Sequence, residues 1–242
     1  MEMLQLDRPF SEQKLAGCGE LDLRNVGAKV WPTVLSQCRA RELRLYHITL
    51  PSLEGIEALT DTRQLTLEWA PKIDTLDPVF RLTGLTSLSI FDFPKLRRLD
   101  GIEALHDLTE LNLSGNRGAL VPPLRLVSVE PVSRIAGLTK LSLFNAKIED
   151  DDVTALARCS RLRHLQLSNQ FERAQVALLA KRLNEQLVEP LSAYSETQLK
   201  CEKCKGGKSM FTGRRMPILC RACDGPRFER LTREFERLVR DA

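Results

Sequence analysis

Four cysteines near the end of the chain carry the clearest chemistry. Cys201-Glu-Lys-Cys204 and Cys220-Arg-Ala-Cys223 are spaced C-x2-C-x15-C-x2-C. Two such hooks can bring four thiolates to the corners of a tetrahedron, the geometry that zinc takes in structural sites. A glycine follows each hook after one residue (Gly206 and Gly225), where a left-handed backbone would let amides turn toward sulfur. Four cysteines close the coordination shell and leave no position for water. His47, His106 and His164 all lie far upstream. The expectation is one structural Zn2+ on Cys201, Cys204, Cys220 and Cys223. Two disulfides fit less well, because the start, Met1 to Phe10, carries acids and lacks the apolar run of a secretory leader. An iron–sulfur cluster is a weaker match to such symmetric hooks. Cys18, Cys38 and Cys159 fall at apolar positions and read as core.

The elements that must carry this segment announce themselves by repetition. Leu108-Thr-Glu-Leu111-Asn-Leu113-Ser-Gly-Asn116 reads L-x-x-L-x-L-x-x-N. Its alternation of leucine with polar residues is that of a half-buried strand. The same pattern starts at Cys18, Ala40, Thr62, Leu85, Leu108, Leu138 and Leu162, with spacings of 22, 22, 23, 23, 30 and 24. The strand pairs are Leu21/Leu23, Leu43/Leu45, Leu65/Leu67, Leu88/Ile90, Leu111/Leu113, Leu141/Leu143 and Leu165/Leu167. On these residues the chain resembles the leucine-rich repeat family over roughly residues 15–190. Leu53-Glu-Gly-Ile56-Glu-Ala-Leu59 and Leu99-Asp-Gly-Ile102-Glu-Ala-Leu105 nearly repeat each other, and are similar to the short internalin-type repeats of bacteria. The resemblance implies an α/β solenoid: a curved array with a parallel concave sheet and a convex side of short 3₁₀ or helical turns. Residues 199–226 resemble a zinc ribbon. One departure stands out. The asparagine that ties adjacent turns in the family is replaced by Val26, Ile48, Ala70, Phe93, Ala146 and Gln170, and only Asn116 fits. The turns must satisfy their backbone groups another way.

The expected organisation is an N-terminal cap over 1–17, the repeats over 18–189, a linker over 190–198, the ribbon over 199–226 and an amphipathic helix over 227–242. A helix over Glu172–Leu187 should cap the array, ended by Pro190. In the last helix, Phe228, Leu231, Phe235 and Leu238 form a narrow stripe suited to packing on the ribbon or solenoid, or to dimerisation. Residues 117–137 hold the extra length between repeats five and six. They contain three prolines, so a central strand or helix is not expected there.

Along each strand, residues alternate with the leucines and face outward on the concave side. The two columns after the second leucine hold Tyr46, Trp69, Phe91 and Phe144, four of the 13 aromatic residues in the chain. Aromatic residues are enriched in interface hot spots. The candidate protein-binding face is therefore Tyr46, His47, Trp69, Phe91, Asp92 and Phe144, with Arg44 and Glu68 in its charged rim. From Glu196 onward, twelve Lys and Arg stand against seven Asp and Glu, a net of +5. Lys203, Lys205, Lys208, Phe211, Arg214 and Arg215 could grip a nucleic-acid backbone and stack a base. No phosphate loop, nucleophile elbow or paired carboxylate indicates an enzyme. No apolar run is long enough to span a bilayer. The function expected is non-enzymatic recognition of a protein partner in the cytoplasm. The alternatives are a nucleic-acid-associated protein using the ribbon, or a bacterial effector or immunity protein.

Overall fold

The structure is a computed structural model that describes residues 1–242 apart from 117 and 119–121. Eight strands form one parallel sheet in simple order: β1 (Glu2–Gln5), β2 (Glu20–Val26), β3 (Glu42–Ile48), β4 (Gln64–Glu68), β5 (Ser87–Phe91), β6 (Glu110–Ser114), then β8 (Lys140–Phe144) and β10 (His164–Leu167). The register does not slip. Leu21, Leu43, Leu65, Leu88, Leu111, Leu141 and Leu165 pair in one line across the sheet. Each of these leucines is buried. A fully buried leucine contributes roughly 1.5–3 kcal/mol, and a slip of one residue would turn the whole set to solvent.

A return leg of about 17 residues is too short for a long helix with two loops, so most convex segments are 3₁₀ turns. These lie at Ile56–Ala58, Val79–Arg81, Ile102–Ala104, Val132–Arg134 and Thr154–Arg158. Gly55 opens the first with φ +87, and a Cβ there would sit 2.7 Å from Leu35 Cδ1. Helix α2 (Trp31–Gln37) serves the same side earlier in the chain, and α3 (Arg173–Leu183) closes it.

The missing asparagines are replaced by two devices. Val26, Ile48, Ala70, Phe93 and Ala146 are simply core residues. The backbone at that position is met coil to coil, the amides of Ile48, Trp69, Ala70 and Asp92 donating to Trp69 O, Phe91 O, Asp92 O and Ser114 O at 2.9–3.2 Å, and a second ladder runs just before the strands. The amide of Arg63 donates to Arg41 O, Thr86 to Arg63 O, Thr109 to Thr86 O, Thr139 to Thr109 O and Arg163 to Thr139 O, all at 2.7–2.9 Å. The hydroxyls of Thr86, Thr109 and Thr139 donate to the same carbonyls at 3.0–3.1 Å, and buried Thr62 donates to Ala40 O at 2.9 Å.

Several expectations change. The N-terminal segment is less a separate cap than an eighth strand, β1, followed by the short helix α1 (Gln13–Gly17). Inside the long insertion, β7 (Leu124–Leu126) pairs with β9 (Ala146–Ile148) in a two-stranded side sheet, apart from the main sheet. The rest of the insertion reading falls partly on 117 and 119–121, outside the described residues. The expected linker is not one. Strand β11 (Tyr194–Lys200) begins within it, and Asn184 exchanges two hydrogen bonds with the Leu191 backbone just before it. β11 pairs antiparallel with β12 (Gly207–Phe211), which pairs with β13 (Ile218–Cys220). Helix α4 (Gly225–Asp241) spends its apolar stripe at home. Phe228 and Leu231 pack with Phe211 and Leu219, while Phe235 joins the solenoid core. The capping helix is shorter than expected, at Arg173–Leu183. Among the described residues, no helix is long and apolar enough to cross a membrane.

Candidate recognition face and metal centre

The four ribbon cysteines meet. Their Sγ atoms all lie within 4.8 Å of one another, with Cys201 to Cys223 at 3.8 Å and Cys204 to Cys220 at 3.4 Å. Sulfurs bound tetrahedrally at about 2.3 Å from one ion stand about 3.8 Å apart, so the set fits one metal ion and none of the pairs is bonded as a disulfide. The local fold explains the convergence. Cys201 follows β11, Cys220 ends β13, and Cys223 lies just before α4. The backbone amides of Cys204 and Lys203 point at Cys201 and bring its thiol down to about 6, and its thiol neighbours share their protons with it. Cys223 is pushed up to about 12, chiefly by hydrogen bonding to Cys204 and Cys201. The left-handed residue in the first hook is Lys205 (φ +61), not the expected Gly206. Gly206 serves close approach instead, since a Cβ there would meet Cys204 Sγ at 3.3 Å. Gly225 has no positive φ and opens α4.

On the concave sheet, three of the expected residues form one platform. The Trp69 ring stacks on His47 with centroids 4.1 Å apart, and Tyr46 tilts against Trp69 at 5.8 Å. The guanidinium groups of Arg24 and Arg44 lie over Tyr46 at 5.2 and 5.0 Å. Arg44 bridges Asp22 at 2.9 Å and Glu68 at 2.7 Å, so the expected rim charges Arg44 and Glu68 are tied into a network against the Tyr46 ring. His47 Nδ1 lies 2.7 Å from Asn25 Oδ1, and Asn25 donates onward to Asp7 at 2.8 Å. An amide oxygen only accepts, so Nδ1 carries the proton.

The platform sits where the chain leaves each strand through a left-handed residue. Asn25, His47, Trp69, Asp92 and Asn145 all have φ between +41 and +60. Asn, Asp and His accept this backbone readily, but for a bulky residue it is an outlier. Trp69 is nevertheless placed there and is 41% exposed. Asp92 is turned to Asn116, which donates to it at 3.1 Å; burial pushes its carboxyl up from the ordinary value, against the pull of that bond. Phe91 and Phe144 lie on β5 and β8, with Ser114 of β6 between them.

Known structures give the same architecture. An internalin from Listeria monocytogenes aligns with a TM-score of 0.51 and 17% identity, over 70% of this chain and 47% of that one. A leucine-rich repeat protein of Leptospira interrogans aligns with a TM-score of 0.52 and 21% identity, over 70% and 42%. The chain has the leucine-rich repeat fold. It spans less than half the length of either of these proteins. No family model matches the chain, and no curated protein matches it significantly by sequence.

The leucine-rich repeats and the ribbon are locked together at the seventh coil. Asn169 donates to Phe211 O at 2.7 Å and accepts from the Gly213 amide at 2.6 Å, while Arg214 donates to Gln170 O at 2.9 Å. This docking undoes two of the expected nucleic-acid contacts. Phe211 is fully buried, its ring wedged between Tyr194 and Phe228, and offers no face to a base. Arg214 is paired with Asp151 and Glu172. Lys203, Lys205 and Arg215 are exposed and Lys208 half-buried, a dispersed basic surface without its aromatic partner. What the sequence reading missed is the seam itself. Its only advance signal was the polar run Ser168-Asn-Gln170, a hydroxyl and two amides with no core role to play.

Proposed function

We propose that this is a non-enzymatic recognition protein that binds a protein partner through the concave face of its leucine-rich repeats, with the ribbon holding one structural zinc. The observation that carries the reading is Trp69. A bulky exposed ring occupies a left-handed position that the neighbouring coils fill with Asn, His or Asp, and it is stacked on His47 and flanked by Tyr46, itself held by Arg44. Rigid aromatic residues of this kind are the usual anchors of protein interfaces. The charged network around them supplies a polar rim. Zinc suits four sulfur ligands with a closed shell. In a ribbon with so small an apolar core of its own, metal binding would be folding energy. Cys201, Cys204, Cys220 and Cys223 would hold the ion, and none is left to do chemistry. A cytoplasmic setting, where thiols stay reduced, belongs to the same proposal.

The test is affinity capture from nuclease-treated lysate with the intact chain and with a Tyr46→Ala/Trp69→Asn variant. A protein retained by the first and lost by the second supports the reading. Equal retention by both refutes it.

A further inference from the structure

The metal centre and the seam with the repeats are the two ends of one hairpin. The segment between the hooks, residues 205–219, rises as β12, turns, and descends as β13. Its base is the four-cysteine site. Cys204 lies three residues before β12, Cys220 is the last residue of β13, and Cys223 lies two residues before α4. Its tip, residues 211–214, holds the seventh coil. Besides the two bonds with Asn169 and the Arg214 side chain on Gln170 O, the Arg214 amide donates to Phe171 O at 2.8 Å. The approach is close. Gly213 has φ +117, and a Cβ there would stand 2.8 Å from Arg173 Cβ and 3.2 Å from its Cα. The hairpin has little else to hold its shape. Its buried core is four side chains, Phe211, Leu219, Phe228 and Leu231. β13 is three residues long, and the pairing of β11 with β12 shifts register between Glu196 and Lys200.

We infer that the ribbon is a metal-dependent end cap: filling the four-cysteine site and seating the hairpin tip on the seventh coil are coupled, so that Asn169 of the repeats is a positioning residue for a metal centre to which it gives no ligand. The inference rests on reading Cys201, Cys204, Cys220 and Cys223 as the ligands of one zinc. Phe211 joins the two ends. Its carbonyl accepts from Asn169, and its amide donates to Pro217 O across the tip at 3.1 Å. Its ring meets the edge of Phe228, five residues after Cys223, and shares a cluster with Leu219, which adjoins Cys220. Spreading the hooks therefore shifts the Phe211 carbonyl and the Gly213 amide that Asn169 bonds. A side chain bonded in both directions tolerates little displacement. Linkage makes the effect reciprocal: what the seated tip adds to metal binding, the metal adds to seating. The repeats need such a cap, because β10 is the last strand of the main sheet and a solenoid end otherwise exposes edge and core.

The experiment measures the zinc affinity of the full chain by competition with a chromophoric chelator. Asn169→Ala should bind zinc at least about fivefold more weakly, the lower end of coupling between linked sites. Gly213→Ala, which pushes the tip away from Arg173, should do the same from the ribbon side. Thr62→Val is the control for a general loss of stability. It weakens the coil of β4, four strands from β10, and should leave zinc affinity within about twofold. In the reverse direction, chelating the ion from the parent chain should speed hydrogen exchange of the Gly213 and Arg214 amides at least about tenfold and leave that of Leu67 on β4 unchanged. Three results would each overturn the inference and leave the zinc reading in place: parental affinity in both seam variants, a loss in Thr62→Val as large as in Asn169→Ala, or exchange at Gly213 and Arg214 indifferent to the metal. A parent chain that takes up no zinc would overturn both.

Discussion

Trp69 lies flat on His47, the two rings 20° from parallel across adjacent coils, and both residues are left-handed at φ +59 and +54. A bulky side chain in that backbone region costs on the order of 1–2 kcal/mol. The stack returns about 0.5–1.5 kcal/mol. The two nearly cancel, so the fold gains little from a tryptophan where Asn25 and Asn145 occupy the equivalent positions. The proposed partner-binding role gives such a ring its purpose.

That balance can be measured. Trp69→Asn should lie within about 0.5 kcal/mol of the parent protein in urea unfolding, because relief of backbone strain offsets the lost stack. Trp69→Ala loses the stack and keeps the strain, and should fall about 1 kcal/mol lower. Leu67→Ala, two residues away and fully buried, should cost about 3 kcal/mol. A Trp69→Asn variant as damaged as Leu67→Ala would make the ring structural.

Arg44 is expected to matter for stability as well as for the face. Asp22 is only 6% exposed and depends on Arg24 and Arg44, and its Oδ1 has no partner among the described residues. Arg44→Met removes one of its two cations and leaves Glu68 without that bridge. The expected loss is about 2 kcal/mol in chemical denaturation, below the figure for a fully buried pair because Arg24 remains. Arg44→Lys should recover less than half of it, since a single ammonium cannot span both carboxylates as the fork does.

The metal centre predicts a pH dependence. Backbone amides hold the Cys201 thiol down to about 6, and hydrogen bonding to Cys204 and Cys201 pushes the Cys223 thiol up to about 12. Cys201 therefore loses its proton first, and Cys223 still holds one that it must give up to bind an ion. Zinc added to metal-free protein in weak buffer should therefore release protons, at least about one per ion from Cys223. Affinity should fall as pH drops through about 6, where protons compete for Cys201 as well. One zinc per chain by metal analysis is expected, and Cys223→Ser should lower it. Zinc uptake with no proton release would contradict this arrangement.

Thr62 anchors the ladder that runs just before the strands. Its buried hydroxyl reaches Ala40 O at 2.9 Å. Thr62→Val keeps the shape and loses the bond, and should cost about 1–2 kcal/mol. Thr109→Val should cost less, because its hydroxyl is exposed and its Thr86 acceptor already takes two backbone amides. Thermal unfolding of the two variants checks the order.

The repeats were legible because a period of 22 or 23 residues with paired leucines has one packing solution, and Leu21 to Leu165 take it in register. The thiolate cluster was legible for a similar reason, since two hooks at that spacing leave few other arrangements. Strand β1 was not recognised, although Leu4 and Leu6 alternate like the other pairs, because no preceding repeat set its phase. The docking of the ribbon was not legible at all. It depends on Asn169 meeting Phe211 and Gly213 across more than 40 residues, and on Arg173 reaching Leu231 O and the Phe235 ring. No local pattern encodes such pairings, and the same contacts turned Phe211 from an expected base-stacking ring into core.

The most direct measurement is site-specific photo-crosslinking. A photoreactive phenylalanine analogue is placed at Trp69 in one protein and at Lys205 in another, and both are irradiated in nuclease-treated lysate. The account predicts a discrete protein adduct from position 69 and none from position 205. An adduct from position 205 alone would move recognition to the ribbon and contradict the concave face as the site of partner binding.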